Sequence, residues 1–96
     1  MNVTERLRAL SEEIARLRTE GGILDEQIAF QQEVAEDARI RAVVSETPLA
    51  DREAREAAGD LTLLERSRAE VQADVQGLRA EQDRLLEALA EEQRAL

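Results

Sequence analysis

Apolar and small residues recur along the first half of the chain at alternating spacings of four and three residues. The series runs Val3, Leu7, Leu10, Ile14, Leu17, Gly21, Leu24, Ile28, Gln31, Ala35, Ala38 and Ala42. An α-helix turns once in about 3.6 residues, so this spacing draws a single stripe along a helix and is typical of a coiled-coil seam. The pattern predicts a first helix over about residues 3–45, with Asn2 capping its start and Glu5 reaching back as in a capping box.

The second half of the chain repeats the same alternation. Its series runs Ala54, Ala57, Leu61, Leu64, Arg68, Val71, Val75, Leu78, Gln82, Leu85 and Leu89. Between the two series stands Ser45-Glu46-Thr47-Pro48, in which Thr47 is a good N-cap and Pro48 suits a first helical turn. Proline also disfavours helical geometry in the residue before it. The sequence therefore predicts a turn at about 45–48 and a second helix over about 48–94.

The two seams can face each other if the second helix folds back on the first. Facing residue numbers then add to 95 or 96, which centres the turn between Thr47 and Pro48. We interpret three polar seam residues as setting this register, because a buried polar side chain penalises shifted alignments. They are expected to pair as Gln31 with Leu64, Arg68 with Ile28 and Gln82 with Ile14. The predicted fold is all-α: residues 1–96 form one antiparallel coiled-coil hairpin that assembles further into a helical bundle.

Four glycines lie inside the predicted helices, at Gly21, Gly22, Gly59 and Gly77. Each costs about 1 kcal/mol relative to alanine in a helix interior. We interpret them as sites of close packing or of a mild bend, and the pair Gly21-Gly22 leaves a hinge open as the alternative.

Composition narrows the possible functions. The chain has no Cys and no His, one aromatic residue, Phe30, and a net charge of −9 in which every basic residue is Arg. Thiolates, imidazole bases and the usual zinc ligands are absent, and a two-helix hairpin offers no desolvated pocket for catalysis. We therefore expect no enzyme activity, catalytic residue, metal, cofactor or small-molecule substrate. The negative charge disfavours direct binding to nucleic acid or to an anionic membrane. No signal peptide or membrane span is recognised, so a cytoplasmic location is expected.

A set of apolar residues lies off the seam and would be exposed to solvent in an isolated hairpin. The set comprises Ile23, Phe30, Val34, Ile40, Val43 and Val44 in the first helix, with Leu49 and Leu63 in the second. Exposed apolar surface of this kind marks an interface. We expect self-association into a four-helix bundle, or docking on a protein partner, through an interface that includes Ile23, Phe30, Val34, Val44, Leu49 and Leu63.

The turn is acidic, with Glu46, Asp51 and Glu53 close together in sequence. The stretch from Leu49 to Ala58 resembles the acidic, alanine-rich tip of the N-terminal coiled-coil hairpin of Gre-type transcript-cleavage factors. That resemblance implies a regulator that inserts its tip into the secondary channel of bacterial RNA polymerase, where the three carboxylates would help to hold a magnesium ion. The chain departs from the family in lacking its C-terminal globular domain and its Asn-Ala-Glu-Tyr sequence after the tip acids.

Overall fold

A computed structural model of the protein describes residues 2–95, and within them it contains two helices and no strand. Helix α1 spans Val3–Ser45 and helix α2 spans Pro48–Ala95. The two helices pack against each other as an all-α helical hairpin, which confirms the predicted fold class. The observed bounds agree with the predicted ones to within a residue.

The start of α1 is a capping box, as the sequence predicted. The Asn2 side-chain oxygen Oδ1 accepts a hydrogen bond of 2.8 Å from the Glu5 N–H. In return Glu5 Oε2 accepts a longer one of 3.4 Å from the Asn2 N–H. Two backbone donors that a helix start leaves unpaired are thereby satisfied.

The link between the helices is only two residues long. Glu46 takes a left-handed backbone conformation with φ of 52°, and its N–H donates to the Ala42 carbonyl oxygen at 3.1 Å. This is the bond with which many helices end, although glycine usually occupies the left-handed position. Thr47 then caps α2, because its Oγ1 accepts from the Ala50 N–H at 3.2 Å.

Contacts divide the described chain into two compact units, which we treat separately. The first, called the terminal unit, comprises residues 2–21 and 71–95. Its buried apolar side chains are Leu10, Ile14, Leu17, Val71 and Val75. Arg6 donates two hydrogen bonds of 2.9 Å to the two carboxylate oxygens of Glu81, which ties its α1 segment to its α2 segment.

The second unit, called the turn unit, comprises residues 22–70. Its fully buried apolar side chains are two alanines, Ala38 and Ala57. Gln31 Nε2 donates to the Ala57 carbonyl oxygen at 3.0 Å, and Gln31 also lines a groove with Leu64, its predicted partner. Small seam residues let the side-chain amide reach the backbone of the facing helix.

The register differs from the predicted one by about one helical turn. In the terminal unit, Gln82 donates to Ser11 at 2.9 Å and lines one cavity with both Ser11 and Ile14, its predicted partner. In the turn unit, Arg68 donates to Asp25 at 2.7 Å instead of facing Ile28. Both bonds join residues whose numbers add to 93, whereas the bonds Arg6–Glu81 and Gln31–Ala57 give 87 and 88, because long side chains reach along the facing helix.

The ends of the helices agree with this register. The number 93 is also the sum for the last residue of α1 and the first residue of α2, Ser45 and Pro48. The turn is therefore centred on Glu46 and Thr47, because the left-handed Glu46 ends α1 early enough for a two-residue link. The predicted helix ends already imply the sum of 93, so the error lay in how the seam residues were paired and not in the position of the turn.

The glycines are not explained by close packing. A Cβ atom built on Gly22, Gly59 or Gly77 would meet nothing within 4 Å apart from the helix itself. Gly21 is buried on the seam, and α1 continues as a helix through both Gly21 and Gly22. Close packing therefore does not account for Gly22, Gly59 or Gly77, and the alternative of a mild bend stays a prediction.

No helix in the described part of the chain is long and apolar enough to cross a membrane.

Candidate protein interface

Large apolar side chains are exposed mainly in the turn unit. The exposed residues are Ile23, Phe30, Ile40, Val43, Val44, Leu49 and Leu63, together with Leu86 in the terminal unit. Phe30 is 68% exposed and Val44 78%, whereas Leu10 in the terminal unit is 1% exposed. The turn unit thus fully encloses only alanine, keeps the seam residues Leu24, Ile28, Leu61 and Leu64 half-buried, and exposes its off-seam apolar residues.

The heptad positions show that most of these residues share one face. With the seam residues assigned to positions a and d, the five residues Ile23, Phe30, Val44, Leu49 and Leu63 all occupy position c, and Val34 occupies position g. In an antiparallel helix pair the g positions of both helices flank the same side of the seam, and c lies beside g. The six residues predicted as an interface therefore lie on one side of the turn unit, which we call the c/g face.

Two open grooves run along the c/g face. One has a volume of 310 Å³, and its lining residues are Gln31, Val34, Ala38, Arg41, Glu53, Glu56, Ala57 and Asp60. The other has a volume of 420 Å³, and its lining residues are Glu26, Gln27, Phe30, Gln31 and Leu64. Because both grooves include Gln31, they adjoin. The first groove is lined by g-position residues of both helices, namely Val34 and Arg41 of α1 and Glu53 and Asp60 of α2. These residues therefore border the same surface.

The two edges of the c/g face differ in charge. The α2 edge of the first groove carries Glu53, Glu56 and Asp60 and no basic residue. The α1 edge carries Phe30 and Val34, with Asp37 and Arg41 further along. The carboxylates are therefore concentrated on the α2 edge, the acidic edge of the face, while the α1 edge carries apolar residues with one acid and one base.

Nearby arginines neutralise this acidic edge only at Glu56. Arg39 forms an ion pair of 2.8 Å with Glu36, whose pKa is lowered by the hydrogen bond and then by the positive charge of that guanidinium. Arg52 pairs with Glu56 at 3.0 Å, but both side chains are largely exposed. Among the described residues, Arg41 has no carboxylate within the 4.0 Å of an ion pair.

The residues predicted for the interface are placed as follows. Ile23, Phe30, Val44, Leu49 and Leu63 are exposed on the c/g face, and Val34 is half-buried in the groove wall.

Two other apolar residues from the original set, Ile40 and Val43, are exposed but occupy positions f and b, away from this face. Leu86 was missed by the sequence analysis. Its signal was the pair Leu85-Leu86, since only one of two consecutive leucines can enter the seam.

The acidic turn does not form a cluster of carboxylates. Glu46, Asp51 and Glu53 are all exposed, and among residues 2–95 no group of three or more acidic side chains is placed to hold a metal ion. Asp51 lies in the first turn of α2, where a carboxylate favours the positive end of the helix dipole. Glu53 belongs to the acidic edge of the c/g face.

Comparison with protein-family models, with curated proteins and with solved structures found no match for this chain. The class that the structure defines is an all-α helical hairpin.

Proposed function

We propose that the chain is a non-enzymatic protein-interaction module and that the c/g face of the turn unit is the surface through which it associates with other helices. The observation that carries this proposal is the set of exposed apolar side chains on the c/g face, beside a seam that encloses few large side chains. Two alanines are the buried apolar residues of the turn unit, while Phe30, Val44 and Leu63 lie in water.

The energetic reason is the small apolar area that the turn unit buries. Covering a Phe, Leu or Val side chain that is otherwise exposed contributes about 1.5–3 kcal/mol each. A further helix packed on the c/g face would supply this burial and complete a helical bundle, the arrangement in which amphipathic helices with two apolar sides are stable. Self-association into a four-helix bundle is the simplest such assembly.

Light scattering coupled to size exclusion tests self-association, with Phe30→Glu as the disrupting variant. The matched control is Val43→Glu, because Val43 is 64% exposed, close to the 68% of Phe30, but lies outside the c/g face. If the wild type is oligomeric, we expect Phe30→Glu to be monomeric and Val43→Glu to keep the wild-type mass. Circular dichroism checks that both variants remain helical.

Association with any protein is tested by photo-crosslinking in the native host. A photoreactive phenylalanine analogue replaces Phe30 in one variant and Val43 in the other. We expect specific crosslinked species from position 30 that disappear when Val34→Glu is added, and a crosslink at twice the chain mass would identify a second copy. Equal crosslinking from positions 30 and 43, or none from either, contradicts the proposal.

A further inference from the structure

The c/g face has two apolar pairs, one beyond each end of the first groove. Residues at the same level of the hairpin have numbers that add to about 93, so Phe30 lies level with Leu63 and Val44 lies level with Leu49. The two levels are separated by fourteen residues of α1, or about 21 Å along a helix. A helix lying on this face would therefore meet apolar surface twice, about four turns apart.

Between these two pairs the face carries small side chains and acidic side chains. The buried side chains Ala38 and Ala57 belong to the groove lining, and such small residues let another helix approach closely. Glu53, Glu56 and Asp60 stand along one side only, the side formed by α2. A helix in the groove would thus have apolar contacts toward α1 and carboxylates toward α2.

The charge of the face discriminates between occupants. Its charged residues at positions c and g are Asp37, Arg41, Glu53, Glu56, Asp60 and Glu70, a net charge of −4. A second copy applied through the same face would bring another −4 against it, and juxtaposed like charges oppose association. A helix that carries Arg or Lys beside its apolar stripe would neutralise the acidic edge instead.

We propose that the c/g face binds a basic amphipathic helix of a partner protein. The helix presents two apolar anchors about four turns apart, one to Phe30 and Leu63 and one to Val44 and Leu49. Between the anchors, Arg or Lys residues face the carboxylates of Glu53, Glu56 and Asp60. This inference rests on the proposed interaction function and adds the chemistry of the partner. It is the helix-in-groove mode of recognition, with charge fixing the orientation.

The test uses synthetic amphipathic peptides as probes, each labelled and kept at a concentration where it is monomeric. The basic and the acidic peptide have leucine at the same positions. At the positions flanking these leucines the basic peptide has Arg and the acidic peptide has Glu. A third peptide is the basic one with its two anchor leucines changed to alanine. Fluorescence anisotropy measures the Kd of each for the full chain. We expect the basic peptide to bind about 100-fold more tightly than the acidic one, and the anchor-less peptide to lose most of this affinity.

Charge-reversal variants of the chain distinguish the effect of the groove carboxylates on peptide binding from the effect of the net charge. In the triple variant Glu53→Arg, Glu56→Arg, Asp60→Arg the preference should reverse toward the acidic peptide. The matched control is Glu87→Arg, Glu91→Arg, Glu92→Arg, which changes net charge equally in the terminal unit and should keep the preference for the basic peptide. Phe30→Glu should weaken binding of the basic peptide, although it adds a negative charge.

Three outcomes would overturn the inference. In the first, the wild type binds the basic and the acidic peptide equally well. In the second, the control triple variant reverses its peptide preference as fully as the groove variant does. In the third, the basic peptide binds equally well with and without its anchor leucines. Position-specific crosslinking at Phe30 in the native host would still support the interaction function in each case, so the two proposals fail separately. A wild-type dimer that Phe30→Glu dissociates at ordinary ionic strength would assign the face to a second copy instead.

Discussion

Gln31 of α1 donates a hydrogen bond of 3.0 Å from its side-chain amide to the backbone carbonyl oxygen of Ala57 in α2. Ala57 is also one of the buried residues of the turn unit, so this bond joins the helices where the side chains between them are smallest. A polar seam residue is satisfied there without a polar partner side chain. The described chain leaves no buried side-chain nitrogen or oxygen without a hydrogen bond.

Removing this bond should weaken the turn unit. Gln31→Ala is expected to lower the free energy of unfolding by about 1 kcal/mol, the net contribution of a typical hydrogen bond. Gln31→Leu should cost less, because leucine restores apolar contact and the Ala57 carbonyl still belongs to the helix. Urea denaturation of the three proteins measures both effects. Equal stability of Gln31→Ala and the wild type would show that the bond contributes nothing.

The buried and exposed apolar residues should respond very differently to truncation. Leu10→Ala removes a side chain that is 1% exposed and should cost about 2–5 kcal/mol through lost burial and a cavity. Phe30→Ala removes a side chain that is 68% exposed, so in the isolated chain it should change stability by less than about 0.5 kcal/mol. Denaturant titrations compare the two at a protein concentration where no self-association is detected. A loss for Phe30→Ala that matches the loss for Leu10→Ala would contradict the exposed position of Phe30.

Glu46 should be improved by replacement with glycine. Its φ of 52° lies in the left-handed region, where a residue with a Cβ atom costs about 1 kcal/mol or more relative to glycine. Glu46→Gly is therefore expected to raise the free energy of unfolding by about 1 kcal/mol. The control Glu33→Gly, at an exposed position inside α1, should lower it by a similar amount. Thermal and urea unfolding measure both variants, and destabilisation by Glu46→Gly would argue that the Glu46 side chain stabilises the turn.

Replacing glycine by alanine should stabilise the chain at three positions. Gly22, Gly59 and Gly77 lie in helices, none has a positive φ, and a Cβ atom at each would meet open space. Each Gly→Ala change should therefore stabilise the chain by about 1 kcal/mol through helix propensity. Additive gains are expected because the sites are far apart in sequence and share no contacts. A loss of stability at any of the three would indicate a local constraint that the backbone geometry does not contain.

The sequence was sufficient to predict the helices, their caps and the hydrophobic face, because each depends on local rules. The capping box at Asn2, the N-cap at Thr47 and the position-c residues follow from spacing alone. The register could not be predicted to better than one turn. Two seams with spacings of three and four can align in several ways, and the spacing alone does not choose among them, although the predicted ends of the helices at Ser45 and Pro48 agree with the observed sum.

The sequence predicted the apolar residues of the candidate interface but not its acidic edge. Phe30 and Leu63 stand out as apolar residues off the seam, and both are exposed as expected. The acidic edge was read as part of the turn, since Glu53 follows Asp51 closely in sequence. Only the packing of α2 against α1 shows that Glu53 lines a groove together with Val34 and Arg41.

The final prediction separates a module that acts through its c/g face from a regulator that acts through its tip, as the resemblance to Gre-type factors would imply. Glu46→Gln and Asp51→Asn neutralise two acids near the turn while leaving the groove residue Glu53 unchanged. Neither side chain lines a groove of the c/g face, so the double variant should keep the wild-type pattern of crosslinks from position 30 and the wild-type affinity for the basic peptide. Val34→Glu, which changes a groove wall and leaves the tip intact, should lose both. Loss of the crosslinks in the tip variant together with their persistence in Val34→Glu would instead place the working surface at the acidic turn.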